Sequence, residues 1–204
     1  MWTSFKRSRF SGKGFTLVEL LVVLAIITII TAVFLLQQRR FDSSTLVRSL
    51  AYSVALSLRQ AQIYGTSVRQ FGSSFNYSYG VYFSGGSSYI LFADADNDNQ
   101  YTSSPDEKVN QFNLSGGYTI GQFCAVRSGG QEDCKGGGKN GGTAITWMSI
   151  YFKRPNPDAQ IKTSAGNTYQ SAYIKVTGPE DILTRQVNIT LTGQITVSTS
   201  TIGL

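Results

Sequence analysis

The chain reads as an α+β protein. A long N-terminal helix, apolar in its first half and amphipathic in its second, is expected to pack on an antiparallel β domain of two sheets. Three observations predict this. Residues 15–36 form an apolar run of 22 with a single charge, Glu19. Residues 37–64 hold no proline and no glycine and keep apolar side chains at helical spacing. Beyond Gly65 the texture changes to short runs of β-branched and aromatic residues separated by Gly, Ser and Asn.

The apolar run comes first. As a helix, at about 1.5 Å per residue, it spans roughly 33 Å and crosses a hydrocarbon core in one pass. A carboxylate inside it needs a reason, because an acid at the membrane centre costs about 2.5 kcal/mol or more. The place of Glu19 near one end lowers that cost without explaining the residue. Lys6, Arg7, Arg9 and Lys13 precede the run, and Gln37, Gln38, Arg39 and Arg40 follow it. A secretory signal has a shorter apolar core and a small-residue cleavage site after it, and nothing of that kind follows Leu36. Positive charge at both ends leaves the orientation open by loop charge alone.

The helix is expected to continue. Val47, Leu50, Ala51, Val54, Leu58 and Ala61 recur on one face, with Arg39, Arg48, Arg59 and Gln60 largely away from it. Gly65 stands where a left-handed C-cap belongs. One helix over residues 15–64 would be roughly 75 Å long. An alternative stays open, two helices parted near Asp42-Ser43-Ser44, since that triplet also reads as an N-cap. The amphipathic half must pack on something, and the rest of the chain supplies strands.

Eight strands are expected, over residues 76–83, 89–93, 109–114, 118–127, 144–153, 172–176, 185–191 and 194–198. Tyr173, Lys175 and Thr177 alternate with Ile174 and Val176; Val187, Ile189 and Leu191 alternate with Asn188 and Thr190. Thr192-Gly193 marks a hairpin turn between the last two runs. With no second helix, the economical arrangement is two antiparallel sheets around the amphipathic half-helix. Tyr77, Tyr79, Tyr82 and Phe83 are expected to face alternately into the core and out to water, rather than to form a platform for a glycan or a base.

Charge narrows the function. The net charge of +6 invites a nucleic-acid reading, but four of the 18 basic residues precede Gly14 and all 12 acids follow it, so the remainder carries only +2. That is no electrostatic footprint for phosphate. The chain has no histidine, which removes the commonest general base and metal ligand. No triad, acid pair or complete metal site points to an enzyme.

Gly14-Phe15-Thr16-Leu17-Val18-Glu19-Leu20 resembles the processing site of type IV prepilins and pseudopilins. The resemblance covers roughly residues 1–65. It implies a basic leader at 1–14, cleavage by a prepilin peptidase after Gly14, and methylation of the new N-terminal Phe15. It also implies a transmembrane and filament-core helix at 15–36, the amphipathic half at 37–65, and an extracytoplasmic head at 66–204. Glu19 becomes the fifth mature residue, whose carboxylate meets the N-terminal amine of a neighbouring subunit and sets axial register. A buried acid paired with an ammonium is tolerable where a lone one is not. The implied partners are other pilins or pseudopilins in a helical filament, the peptidase, an inner-membrane assembly platform and the membrane itself. The implied place is the plasma membrane, single-pass with the head outside the cytoplasm, then an extracellular or periplasmic filament. Within this superfamily the layout looks most like GspH/FimT-type minor pilins and pseudopilins, whose helix continues with a segment resembling Leu50–Ala61 and whose C-terminal hairpin turns at a Thr-Gly. Some members bind DNA through basic C-terminal tails. Here residues 194–204 hold no Lys or Arg, so a DNA-binding or adhesive tip subunit is the alternative and nucleic acid is not the expected partner.

Two further constellations need an account. Asp94, Asp96 and Asp98 alternate as the first ligands of a calcium loop do, and Asp106 or Glu107 would have to close the site. Asn99 stands where a helix–loop–helix calcium site has glycine and Pro105 where it has its bidentate Glu, so a solvated acidic turn is the competing reading. No cofactor is required in either case. Cys124 and Cys134 are the only cysteines. With the head outside the cytoplasm their oxidation is expected, and a bridge closing about ten residues is worth about 2–3 kcal/mol in the chain-entropy model. The Gly-rich stretch 135–142 lacks the Lys-Ser/Thr that ends a phosphate loop and reads as a flexible cationic surface loop.

Overall fold

The structure, a computed structural model, describes residues 14–103, 107–179 and 183–199, and for residues 36–42 the backbone alone. Lys6, Arg7, Arg9, Lys13, Asp106 and residues 200–204 lie outside the described residues. The chain divides at Asp42–Ser43 into two compact units.

Helix α1 covers Leu17–Thr66. Its backbone is helical across Asp42–Ser44, so that triplet is not an N-cap. In the first unit, Leu17–Leu35 is long and apolar enough to cross a membrane and none of it is buried. The hydroxyls of Thr28 and Thr31 donate to the carbonyls of Ala25 (2.8 Å) and Ile27 (2.7 Å) of the same helix. They therefore expose no unpaired donor to an apolar surrounding.

The described residues of the second unit form eleven strands. One sheet, in the order β3-β2-β1-β7-β8, contains β1 (Ser78–Phe83), β2 (Ser88–Asp94), β3 (Lys108–Asn113), β7 (Met148–Phe152) and β8 (Ala159–Thr163). The other, in the order β11-β10-β9-β4-β5-β6, contains β4 (Thr119–Val126), β5 (Glu132–Lys135), β6 (Ala144–Ile145), β9 (Ser171–Thr177), β10 (Thr184–Thr190) and β11 (Ile195–Thr199). Among the described residues every strand pairing is antiparallel except β5 with β6, which is parallel and corrects the expectation of two wholly antiparallel sheets. The expected strand over 144–153 is two strands, interrupted at Thr146-Trp147, where the Thr146 N–H donates to Ser164 Oγ instead of a ladder partner.

Val47, Ala51, Val54, Leu58 and Ala61 of α1 are buried in one cluster with Phe83, Leu91, Ile150 and Phe152 of the first sheet and Phe123, Ile174, Val187 and Ile189 of the second. Full burial of Leu58 alone is worth about 1.5–3 kcal/mol. Small residues let the helix approach closely, and Gly65 is the clearest case. It is not a left-handed C-cap: α1 continues through Thr66, and a side chain at Gly65 would stand only 2.8 Å from Phe152 Cβ. The position is glycine because β7 passes there. The helix ends one residue later, where Thr66 Oγ1 donates to the Gln62 carbonyl at 2.8 Å and competes with continued helix. Within β1, Tyr79 and Phe83 are buried and Tyr82 is half-buried, as alternation implies, whereas Tyr77 precedes the strand and is half-buried although its spacing would put it on the face of Tyr79.

Candidate functional site

The chemistry-bearing N-terminal segment is held by one local device. Thr16 lies immediately before α1, and its hydroxyl accepts the Glu19 N–H at 3.2 Å while its carbonyl accepts the Leu20 N–H at 3.2 Å. Thr16 is therefore the N-cap and Glu19 the third helical residue, the spacing of a capping box. Sequence reading gave Thr16 no role, although T-x-x-E before an apolar run is its signal. Gly14, Phe15 and Glu19 are all exposed, Phe15 at 83%. A bond broken after Gly14 would place a new ammonium one residue from the N-cap. That charge sits at the positive end of the helix dipole, where an acid in the first turn is the natural counter-charge. The segment thus presents an accessible Gly–Phe peptide bond, a pre-formed helix start and a carboxylate with no charged partner in its own unit among the described residues.

The acidic loop follows β2. Asp94, buried, accepts Ser78 Oγ at 2.8 Å from β1 and the Asn99 N–H at 3.1 Å. Asp96 accepts the Asp98 N–H at 3.1 Å, and Asp98 accepts the Gln100 N–H at 2.7 Å. Asp96 and Asp98 so each fold the backbone two residues on, the ordinary Asx turn. Asn97 and Asn99 take positive φ, 60° and 59°, a region asparagine enters readily. Asn99 in this way adopts the left-handed backbone for which a glycine was expected. Lys162 donates to the Asp98 carbonyl.

Glu107 closes the loop from the far side. It is fully buried, and it accepts the N–H groups of Ala95 (2.6 Å) and Asp96 (3.3 Å) on one oxygen. The N–H and hydroxyl of Thr102, at 2.8 and 3.2 Å, occupy the other. Burial pushes its carboxyl above the ordinary glutamate value, against those hydrogen bonds. Oxygens of Asp94, Asp96 and Glu107 come within 4.8 Å of one another. Asp98 is not in that group, and Asp106 lies outside the described residues. A calcium ion needs about six to eight oxygens. Asp94 and Asp96 keep free lone pairs for one, but Glu107 has spent all four of its acceptor positions on the loop itself.

Cys124 and Cys134 stand opposite each other on β4 and β5 and are joined as a disulfide, with Cα atoms 4.1 Å apart. Their sulfurs lie near Glu132, but as a disulfide they offer no thiolate to a metal. Beside them is a residue that sequence reading passed over. Asp133 is fully buried and accepts two nitrogens of Arg127 (2.6–3.1 Å), the N–H and hydroxyl of Thr143 (2.7 and 2.9 Å), Asn167 (2.9 Å) and Tyr169 (2.7 Å). Burial alone would raise its pKa. The Thr143 N–H, Arg127, Tyr169 and Asn167 outweigh burial and hold the carboxyl far below the usual aspartate range. The stretch 135–142, expected to be flexible, folds back on β5. The N–H groups of Lys139 and Glu132 each donate to the other's carbonyl, at 2.8 and 3.0 Å. The cause is the anchoring of its ends by Asp133 and the disulfide.

Residues 9–35 match the family model for the prokaryotic N-terminal methylation motif. The chain therefore carries a type IV pilin-like prepilin segment. That motif marks pilin-like and pseudopilin proteins, structural subunits that in general are processed by prepilin peptidase and assemble with other pilins. No curated protein and no solved structure matches the chain.

Proposed function

We propose that this chain is a minor pilin or pseudopilin of the GspH/FimT type, a structural subunit of a type IV pilus or a type II secretion pseudopilus. In this reading it is inserted in the plasma membrane with its head outside the cytoplasm, cut after Gly14 and methylated at Phe15. The inner-membrane assembly platform then adds it to a filament through its apolar helix. The observation that carries the reading is a division of labour within α1. Residues 17–35 bury nothing among the described residues, whereas the head has a core running from Val47 to Ile195 that is complete without them. A helix with every apolar side chain outward needs a surrounding of lipid or of other helices. Calcium is at most an optional ion held by Asp94 and Asp96, since the loop's own donors already close it and Asp98 stands outside the converging group.

The test is Glu19→Val. The substitution removes the acid and keeps the apolar helix, so membrane insertion is expected to be unchanged and filament incorporation to fall at least about tenfold, the loss of one buried charge partner. Incorporation at the wild-type level contradicts the pairing of Glu19 with a neighbouring amine. The alternative, a DNA-binding tip subunit, predicts retention of the head on DNA that weakens as salt is added.

A further inference from the structure

Two features of the head lie side by side and serve nothing described so far. The first is β11, an edge strand bonded to β10 on one side and, among the described residues, to no strand on the other. The Thr190 N–H donates to the Gln194 carbonyl at 3.1 Å, and the register continues through Ile189↔Ile195 and Val187↔Val197. The alternation of an antiparallel ladder then directs the N–H and C=O of Ile195 and Val197 away from β10, to the open side. Edge strands are ordinarily blunted by charge or proline, yet residues 194–199 hold neither.

The second feature is the outward stripe of α1, where Tyr52, Leu56 and Ile63 are 50, 63 and 62% exposed, with Arg59 among them. Stripe and edge share a groove of about 500 Å³ lined by Arg59, Gln62, Ile63, Gly193, Gln194 and Ile195, and a smaller hollow carries it on past Tyr52, Leu56 and Val197. Gln62 fixes the base of the groove by donating to the carbonyls of Pro157 (2.9 Å) and Gly193 (3.2 Å). A strand added beside β11 would lie about 4.8 Å from it, with alternate side chains on the face of Ile195 and Val197. Those side chains would cover Tyr52, Leu56 and Ile63. Among the described residues Arg59 is the one charged side chain lining the groove, so the added strand should bring an acid to it.

We propose that the β11 edge and the adjoining helix stripe dock an extended strand of a neighbouring pilin-like subunit, apolar at alternate positions and carrying a carboxylate opposite Arg59. The proposal rests on the filament reading above. A second copy pairing edge to edge is the poorer occupant, because its own β11 brings no acid.

The test uses the full chain in the membranes of cells that make it, with Leu56 replaced by the photocrosslinker p-benzoylphenylalanine. The expected result is an adduct with another pilin-like subunit whose crosslinked peptide is an extended segment containing Asp or Glu. Arg59→Glu and Val197→Pro should each lower the yield about tenfold, the first by charge repulsion and the second by removing an outward N–H. Lys153→Glu, an exposed charge elsewhere, should leave the yield unchanged. Retention of the Cys124–Cys134 bridge on a non-reducing gel verifies that each variant has folded. An adduct with lipid alone, with a second copy of the chain, or one indifferent to both groove substitutions overturns the proposal. The mass of the same chain separates the two readings. A cleaved chain without the strand adduct refutes the docking site only, and an uncleaved chain with it refutes the filament reading only.

Discussion

Leu24 and Leu58 belong to one helix and are the same residue, yet Leu24 is half exposed and Leu58 is fully buried. The acids repeat the contrast. Asp133 is enclosed by Arg127, Thr143, Asn167 and Tyr169 of its own head, whereas Glu19 stands exposed with only a hydroxyl at its backbone N–H. The head is solvated by itself, and the span is left to be solvated by something else. Stability and assembly are therefore encoded in different parts of the chain, and substitutions should separate them.

Asp133→Ala should break the head hardest. It strands Arg127 and several neutral donors at a buried site, a loss of about 3–5 kcal/mol for one partner of a buried pair, read as a fall in the urea midpoint. A loss below about 1 kcal/mol would place Asp133 among ordinary surface ion pairs. Leu58→Ala should follow at about 2–5 kcal/mol. Leu24→Ala should leave head stability within about 0.5 kcal/mol; equal effects of the two substitutions would erase the distinction between the halves of α1.

Acid sharpens the contrast further. The Asp133 carboxyl is held below its ordinary value of 3.8. Its contribution is thus present above that value and lost as the pH falls through it toward the lower folded value. Glu107 has the opposite sign. Its raised carboxyl favours folding below its ordinary 4.5 and loses that contribution as pH rises through the folded value. Urea midpoints compared at neutral pH and below pH 3.8 should show acid weakening the wild-type head and weakening Asp133→Asn less. The same acid sensitivity in both proteins would assign it elsewhere.

Calcium should have the smallest effect. Saturation to ten times Kd would add about 1.4 kcal/mol by mass action, roughly 3–6 °C in a domain of this size. Chelation should leave the head folded, because the carboxylates of the 94–107 loop already have donors. A head that unfolds in chelator would make the metal a structural requirement.

Much of this fold was legible because its signals are local. The span, the buried face from Val47 to Ala61 and most strands follow from periodicity within the segment itself. β5 and β8 were missed for a physical reason. Glu132–Lys135 is charged and sits in glycine-rich surroundings, and its strand is held by a disulfide and by Asp133, whose donors come from Arg127, from Thr143 beyond the glycines and from the distant Asn167 and Tyr169. Ala159–Thr163 is short and follows Pro155 and Pro157. Gly65 was misread because its reason is Phe152, far away in sequence. In the processing segment, the roles expected of Gly14, Phe15 and Glu19 come from the resemblance to prepilins, and Thr16 was overlooked although its capping signal was present. In the acidic loop the sequence placed the carboxylates but not the donors that occupy Glu107.

The mature protein's N-terminus is the most direct test. Intact mass and N-terminal peptide sequencing of the chain from cells with an active prepilin peptidase should show a product beginning at Phe15 and carrying a methyl group on its amine. A product that retains residues 1–14 contradicts the account, because the amine proposed to pair with Glu19 would never have been made.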